Sequence, residues 1–366
     1  MSLLSSIYNM LVLGRLRDDP GPFDPAQVRK ILVVRNDNIG DVICTTPALD
    51  ALRQRFPHAK IAAVVCTLAE EALSGHRALD RLWAYPKAKH RQFGPLASLA
   101  RLGRVLREIR RERFDLAIAP RASFSSSQGW IVYASRARWR LGPRAEGKRK
   151  RWGFYYNLPS EPPGPDLHEV ERCFHLLSHI RVDSVDKRLY LKVPEAAAGQ
   201  AQAFLAAHGL DREPGPLVVN ITRWAYRPDR LWPAECYRAL VEELARRPGG
   251  VVVTHAPADQ EWVSGLLAGL KVPVYWSASL KEFAALLARG RALVTAEGGP
   301  MHLAAALGRP LVVLWGQTPQ KVWHPWGVAH RIVGGGGPVS DISPGQVLAA
   351  LDDLLASQAR PAEPRD

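Results

Sequence analysis

The fold of this chain turns on ILVVRNDNIGDVICTTPALDALRQRF, residues Ile31–Phe56. Ile31–Arg35 is short, apolar and β-branched, the composition of a strand covered on both faces. Asn36–Gly40 is polar and ends in glycine, as a tight loop does. From Asp41 the spacing becomes helical: Val42, Leu49 and Leu52 share a face, and Pro47 is near enough the start for a first turn. Strand, loop and helix in that order open a Rossmann-like unit, whose ligands bind beyond the carboxyl ends of the strands. Asp41 falls on that edge and is the first candidate for chemistry. An aspartate there is equally favoured as a helix cap.

Outward from this unit the alternation continues. Lys60–Val65 (KIAAVV) and Phe114–Ala119 (FDLAIA) read as strands, with a basic helix over Leu99–Arg113 between them. Glu161–Pro165 (EPPGP) is a rigid turn, and the helix His168–Leu177 (HEVERCFHLL) closes the first half. An alanine-rich helix within Pro194–Gly209 precedes the breaker-rich Asp211–Pro216 (DREPGP). The pattern then restarts. Strands are expected at Leu217–Ile221, Gly250–Thr254, Val274–Trp276, Ala292–Thr295 and Pro310–Trp315. Helices are expected at Ala234–Arg247, Phe283–Ala288, Met301–Leu307 and Pro344–Leu355, with a flexible loop at Gly334–Gly337. Strands alternating with helices imply parallel sheets covered on both faces. The expected architecture is α/β: two Rossmann-like parallel-sheet domains, 30–208 and 209–355, facing a central cleft. Residues 1–29 form an N-terminal extension and 356–366 a disordered tail.

At 366 residues the chain is longer than one typical domain. It carries 49 Lys and Arg against 35 Asp and Glu, a net charge of +14, which suits acidic partners and also fits simple arginine-rich coding bias. Cys44, Cys66, Cys173 and Cys236 are scattered without metal-ligand spacing and read as reduced thiols. No run reaches the roughly 18 to 20 apolar residues of a membrane span. Leu4, Ile7, Tyr8 and Leu11 follow helical spacing, with Arg15 and Arg17 after them. That segment can rest on anionic lipid or pack on its own domain.

Two further stretches carry candidate chemistry. After the serine-rich Ser123–Ser127 comes a basic run: Arg136, Arg138, Arg140, Arg144, Lys148, Arg149, Lys150 and Arg151, interleaved with Trp139 and Trp152. It could hold an anionic acceptor, stack on single-stranded nucleic acid, or be a solvated loop. No RNA- or DNA-binding motif accompanies it, so nucleic acid is not expected. The second is TAEGGPMHLAAALGRPLVVLWG, Thr295–Gly316. Gly298 and Gly299 allow close backbone approach, Pro300 suits a first turn, and the free N–H groups beyond it make an anion site. His302 lies where its ring could reach the same anion, and Glu297 could accept from ligand hydroxyls. Alone, the same residues read as an ordinary helix start.

In order and spacing, VVRNDNIGDVICTTPAL, HEVERCFHLL, DRLWPAECYRAL and GGPMHLAAALGRPLVVLWG resemble the lipopolysaccharide heptosyltransferases of glycosyltransferase family 9. The likeness spans roughly Lys30–Leu351 and implies the two-Rossmann GT-B fold. It implies that Gly40-Asp41 is the family's G-D pair, with Asp41 the general base, and that Arg35 holds acceptor phosphate or carboxylate. Asn38, Gly40, Arg121 and Arg144 complete the acceptor candidates. Arg230, just before the W-P pair, is expected at the donor diphosphate, and Asp259 and Glu261 near the nucleoside. Thr222, Glu297, Gly298, Gly299, Pro300, Met301 and His302 complete the donor set. The family's D-T-G-P-x-H stands here as Glu297-Gly298-Gly299-Pro300-Met301-His302, a change that bears on the donor sugar.

The resemblance implies inverting transfer of a sugar, heptose from an ADP-linked donor, to a lipopolysaccharide-core or related anionic glycan. Asp41 would take the acceptor proton as the diphosphate leaves toward the helix start and Arg230. No cofactor beyond the donor and no metal is expected, since no D-x-D pair is placed for one. A cytoplasmic protein with peripheral contact at the inner membrane follows. Three other classes share parts of the pattern. A nicotinamide-dependent oxidoreductase has the fold, but RNDNIGD lacks G-x-G-x-x-G. A degenerate transferase scaffold binding nucleic acid or an anionic surface would account for the charge. A sugar-nucleotide epimerase would share the two-domain plan. Trp224, Tyr226 and Trp232 could stack on a ligand or pack in the core.

Overall fold

A computed structural model describes residues 20–87, 94–222, 230–277 and 279–359. The Leu4–Arg17 segment, Trp224 and Tyr226 lie outside the described residues. Internal contacts divide the chain into two compact units, Met1–Lys187 and Arg188–Asp366.

In the first unit the chain runs β1 (Lys30–Val34), α1 (Ile39–Cys44), α2 (Thr46–Arg55), β2 (Lys60–Cys66), α3 (Glu70–Leu73) and β3 (Arg81–Tyr85). It continues through α4 (Pro95–Glu112), β4 (Leu116–Ile118), α5 (Ser126–Ala134), β5 (Trp139–Pro143), β6 (Leu158–Ser160) and α6 (Glu169–Ser178). The strands form one sheet in the order β3-β2-β1-β4-β5-β6, every neighbouring pair parallel. Ile31, Leu32, Val33 and Val34 are all buried, because helices cover both faces of a parallel sheet. The single helix expected from Asp41 is two, broken at Thr45. Pro47 occupies the first turn of α2, where its missing N–H costs nothing. The hydroxyls of Thr45 and Thr46 fold back onto the carbonyls of Asp41 and Ile43 at 2.9 and 2.7 Å.

The second unit repeats the plan: α7 (Glu195–Ala207), β7 (Leu217–Ile221), α8 (Ala234–Ala245), β8 (Val251–His255), α9 (Gln260–Leu266), β9 (Val274–Trp276) and α10 (Leu280–Leu287). It ends with β10 (Ala292–Ala296), α11 (Gly299–Ala306), β11 (Leu311–Trp315), α12 (Gln320–Trp323), β12 (His330–Gly334) and α13 (Pro344–Ala359). Its parallel sheet has the order β12-β11-β10-β7-β8-β9. Helix α7 packs on α10 of this unit, and Lys281 of α10 donates to the Lys192 carbonyl at 2.6 Å. The alanine-rich segment therefore belongs to the second unit, ahead of the 208/209 boundary expected from the breakers. Residues 356–359, assigned to a disordered tail, are the last turn of α13. Gly334, expected in a loop, ends β12.

Trp232 is fully buried beside Tyr237, and its indole N–H donates to the Ile342 carbonyl at 2.7 Å. It is a core residue, unavailable for stacking on a ligand. No helix among the described residues is long and apolar enough to cross a membrane. In both sheets the strand order reverses beside the first strand, between β1 and β4 and between β7 and β10. Those two points, at the carboxyl ends of the strands, are where open α/β sheets hold ligands. Arg35 to Asp41 lies at one, Glu297 to His302 at the other.

Candidate active site

At the first switch point the organising group is Arg35, the residue after β1. Its N–H continues the ladder to the Val64 carbonyl at 2.9 Å, which turns the side chain inward, and it is only 2% exposed. Its Nη2 donates to Glu169 Oε1 at 2.6 Å and to Asp41 Oδ1 at 3.1 Å. Its Nη1 donates to the Pro120 carbonyl, and its Nε lies 3.2 Å from Asp37 Oδ2. Asp37 accepts in turn from Arg121 at 3.0 Å and from Gln128 at 2.6 Å. Arg172 stands 3.9 Å from the far oxygen of Glu169. Three guanidiniums thus face three carboxylates, and the cluster is formally neutral.

This arrangement explains the protonation states. Burial works against the charge on Arg35, but Glu169, Asp37 and Asp41 outweigh it and hold its pKa well above the usual value. Burial likewise opposes the charge on Asp37, yet Arg35, Arg121, Lys87 and the Gln128 hydrogen bond keep its carboxyl below the usual range.

Arg35 is therefore placed differently from the acceptor contact expected of it, since both of its Nη groups donate inside the protein. What it does is hold Asp41. Asp41 is in the first turn of α1, where the helix dipole favours a carboxylate. Asn38, not Asp41, occupies the cap position, and its side chain makes no cap bond. The Asp41 side chain is 19% exposed, with Oδ1 fixed by Arg35. Gly40 is buried beneath it. Arg121 joins this group through Asp37. Arg144 does not: it is exposed past β5 and pairs with Glu161 at 2.5 Å. The partners that reading the sequence missed are Asp37, Gln128 and Glu169. Glu169 was legible only as part of HEVERCFHLL, and its contact to Arg35 spans 134 positions.

At the second switch point, Asn220 in β7 ties the strand ends together. It donates to Thr254 at 3.0 Å and accepts from Thr222 at 2.9 Å and Thr295 at 3.3 Å. Glu297 follows β10 and is buried, with Arg230 Nε 3.2 Å from its Oε1. Arg230 also donates to Thr318 at 2.6 Å. Gly298 has φ 146° and ψ −159°, a region open essentially to glycine alone. That turn leads into α11, whose first N–H groups have no partner within the helix, with Pro300 in its first turn. Met301 is buried, and so is His302, whose ring packs edge-on against Trp323 at 6.0 Å. Burial, with His324 second, pulls the His302 pKa from its usual 6.5 to about 4, so the imidazole is neutral near pH 7. A neutral ring brings no positive charge to an anion at the helix start. Asp259 is buried at the start of α9, and Glu261, one residue into that helix's first turn, is exposed.

Two Rossmann sheets, one with an arginine-held aspartate and the other with a glycine-led helix start at their switch points, define a doubly wound α/β scaffold with a candidate ligand site in each unit. The chain belongs to glycosyltransferase family 9 (heptosyltransferase), whose family model matches residues 102–340, and it is a glycosyltransferase. It is similar to lipopolysaccharide heptosyltransferase 3 of Escherichia coli, 24% identical over 300 residues, covering 78% of this chain and 83% of that protein. Among solved structures it resembles a glycosyl transferase family 9 protein from Veillonella parvula, with a TM-score of 0.76 and 22% identity, over 90% of this chain and 97% of that one. It also resembles E. coli ADP-heptose lps heptosyltransferase II, with a TM-score of 0.69 and 22% identity, over 90% and 100%. The GT-B fold class read from the sequence holds.

Proposed function

We propose that the protein transfers a heptose from an ADP-linked donor to an anionic glycan of the lipopolysaccharide core, with inversion at the anomeric carbon. The observation that carries this is Asp41: a part-exposed carboxylate in the first turn of α1, with one oxygen held by a buried arginine. Oδ2 is left for the acceptor hydroxyl. As that oxygen attacks the anomeric carbon, its proton passes to Asp41, and the bond from the anomeric carbon to the diphosphate breaks. The leaving diphosphate takes its negative charge to the α11 start, where N–H groups and Arg230 stabilise it. Arg230 is shared with Glu297, so the donor draws on a cation that the resting protein already neutralises in part. The names of the relatives support heptose, ADP and lipopolysaccharide; the Glu297-Gly298 pair is the feature of this chain most able to alter the sugar. The acceptor reading carries with it peripheral contact at a membrane surface.

Asp41→Asn tests the assignment. Its turnover of ADP-heptose with a lipopolysaccharide-core acceptor should fall by about 10²- to 10⁴-fold, the usual contribution of a general base. ADP binding should persist. Near-normal turnover in this variant would sink the role given to Asp41.

A further inference from the structure

A cavity of about 630 Å³ lies in the second unit at the amino ends of β8 and β9, the edge of the sheet opposite to Glu297–His302. That size is within the ~300–1,000 Å³ typical of small-ligand sites. It opens because β9 joins the sheet late. β8 pairs with β7 from Val251 onward, but with β9 only from Val253, which stands opposite Val274. Ahead of Val274 the chain runs outside the ladder, and Val272 and Pro273 become cavity wall.

The late pairing leaves the backbone of Val251 facing this cavity. Val253 donates to the Pro273 carbonyl at 3.0 Å, so it faces β9, and Val251, two residues earlier, turns its N–H and C=O to the same side. Among the described residues neither of these two groups has a hydrogen-bond partner. For the carbonyl the reason is covalent: the next donor in the ladder would be the N–H of Pro273, which has none. Val251 is 2% exposed, and buried backbone groups are almost always paired. Around it the walls are apolar, formed by Leu210, Leu270 and Val272. Leu210 closes against Gly250, where an added Cβ would stand 2.9 Å from Leu210 Cδ2. No carboxylate lines the cavity, and Lys271, exposed on its wall, has no ion-pair partner among the described residues.

We propose that this cavity binds a nucleoside monophosphate, with its base against the Val251 edge and its phosphate at Lys271. The N–H and C=O of one extended residue point the same way, so a ring that carries an acceptor and a donor on adjacent positions takes both. Apolar walls suit the flat faces of such a ring, and the free ammonium suits its anion. The site is at the far end of the strands from the one that ends in Glu297, and it stands independently of the transfer reaction.

The full chain, isotope-labelled, is titrated with cytidine monophosphate, cytidine and ribose phosphate while the Val251 amide resonance is followed by NMR. Cytosine carries an acceptor and a donor on adjacent positions; ribose phosphate has no ring to meet the strand edge. Cytidine monophosphate should shift the Val251 resonance to saturation, cytidine should do so more weakly, and ribose phosphate should leave it in place. Lys271→Gln should weaken the nucleotide by about 3- to 10-fold, the worth of one hydrogen bond, and leave cytidine unchanged. Ala245→Trp fills the cavity from an exposed position and should abolish both responses. Both substitutions are at exposed positions, so the fold is retained. A Val251 amide unmoved at millimolar nucleotide would overturn the proposal, and so would ribose phosphate acting as the nucleotide does. Unchanged nucleotide binding in the two variants would place it elsewhere on the protein and overturn it as well.

Discussion

Replacing Arg35 by methionine removes one cation from among three carboxylates while keeping most of the side chain's volume. Arg35 is 2% exposed, Glu169 5%, Asp37 13% and Asp41 19%. Solvent therefore screens these contacts little. Deleting one partner of a buried ion pair costs about 3–5 kcal/mol, because the other charge is left without compensation. At ~2–4 °C per kcal/mol for a unit of this size, the melting temperature should fall by about 6–20 °C at pH 7. The pH dependence gives the sharper test. Asp37 has its folded-state pKa depressed, so its contribution is present above the ordinary carboxylate pKa and is lost as pH falls through the folded value. Without Arg35 that depression weakens. The gap between wild type and variant should be full at pH 7 and should narrow below about pH 4 as Asp37 protonates. Thermal denaturation by circular dichroism across this range measures it. An Arg35→Met/Glu169→Leu double variant should recover part of the loss, since the two groups act as a pair. A variant within about 1 kcal/mol of wild type at pH 7, or a gap independent of pH, would refute the cluster's electrostatic role.

Three other outcomes follow from the second unit. Gly298→Thr, which restores the residue usual in the family motif, forces a β-branched side chain into φ 146°; it should cost about 1–3 kcal/mol and weaken ADP binding, both read by thermal shift with and without ADP. Arg230→Ala leaves Glu297 buried and without its cation, a loss on the order of 3 kcal/mol, and Arg230→Lys should retain part of it; equal stability of the two would discount the ion pair. His302 resists protonation in the folded state, so the unfolded chain binds the extra proton. Stability should drop on the order of 3 kcal/mol as pH falls from 6.5 to about 4, and His302→Gln should flatten that part of the denaturation profile.

The elements legible in the sequence are those with continuous apolar runs. β1, β7 and β11 stand where their β-branched stretches predict, because a strand covered on both faces must be apolar throughout. The strands that went unread are Arg81–Tyr85, Trp139–Pro143, Leu158–Ser160 and His330–Gly334. Charge or proline interrupts each of them. Their strand character comes from the neighbour they pair with.

The same division holds for the site. By itself the sequence determined that Asp41 and the Glu297–His302 segment fall at strand ends. That follows from local periodicity and from the glycine and proline that end one element and start the next. Only the tertiary structure decided what surrounds them. Arg35 is a buried counterion because Glu169 arrives from a distant helix, and His302 is neutral because the fold buries it. Charge and burial are properties of neighbours in space, and a linear chain records neighbours in sequence.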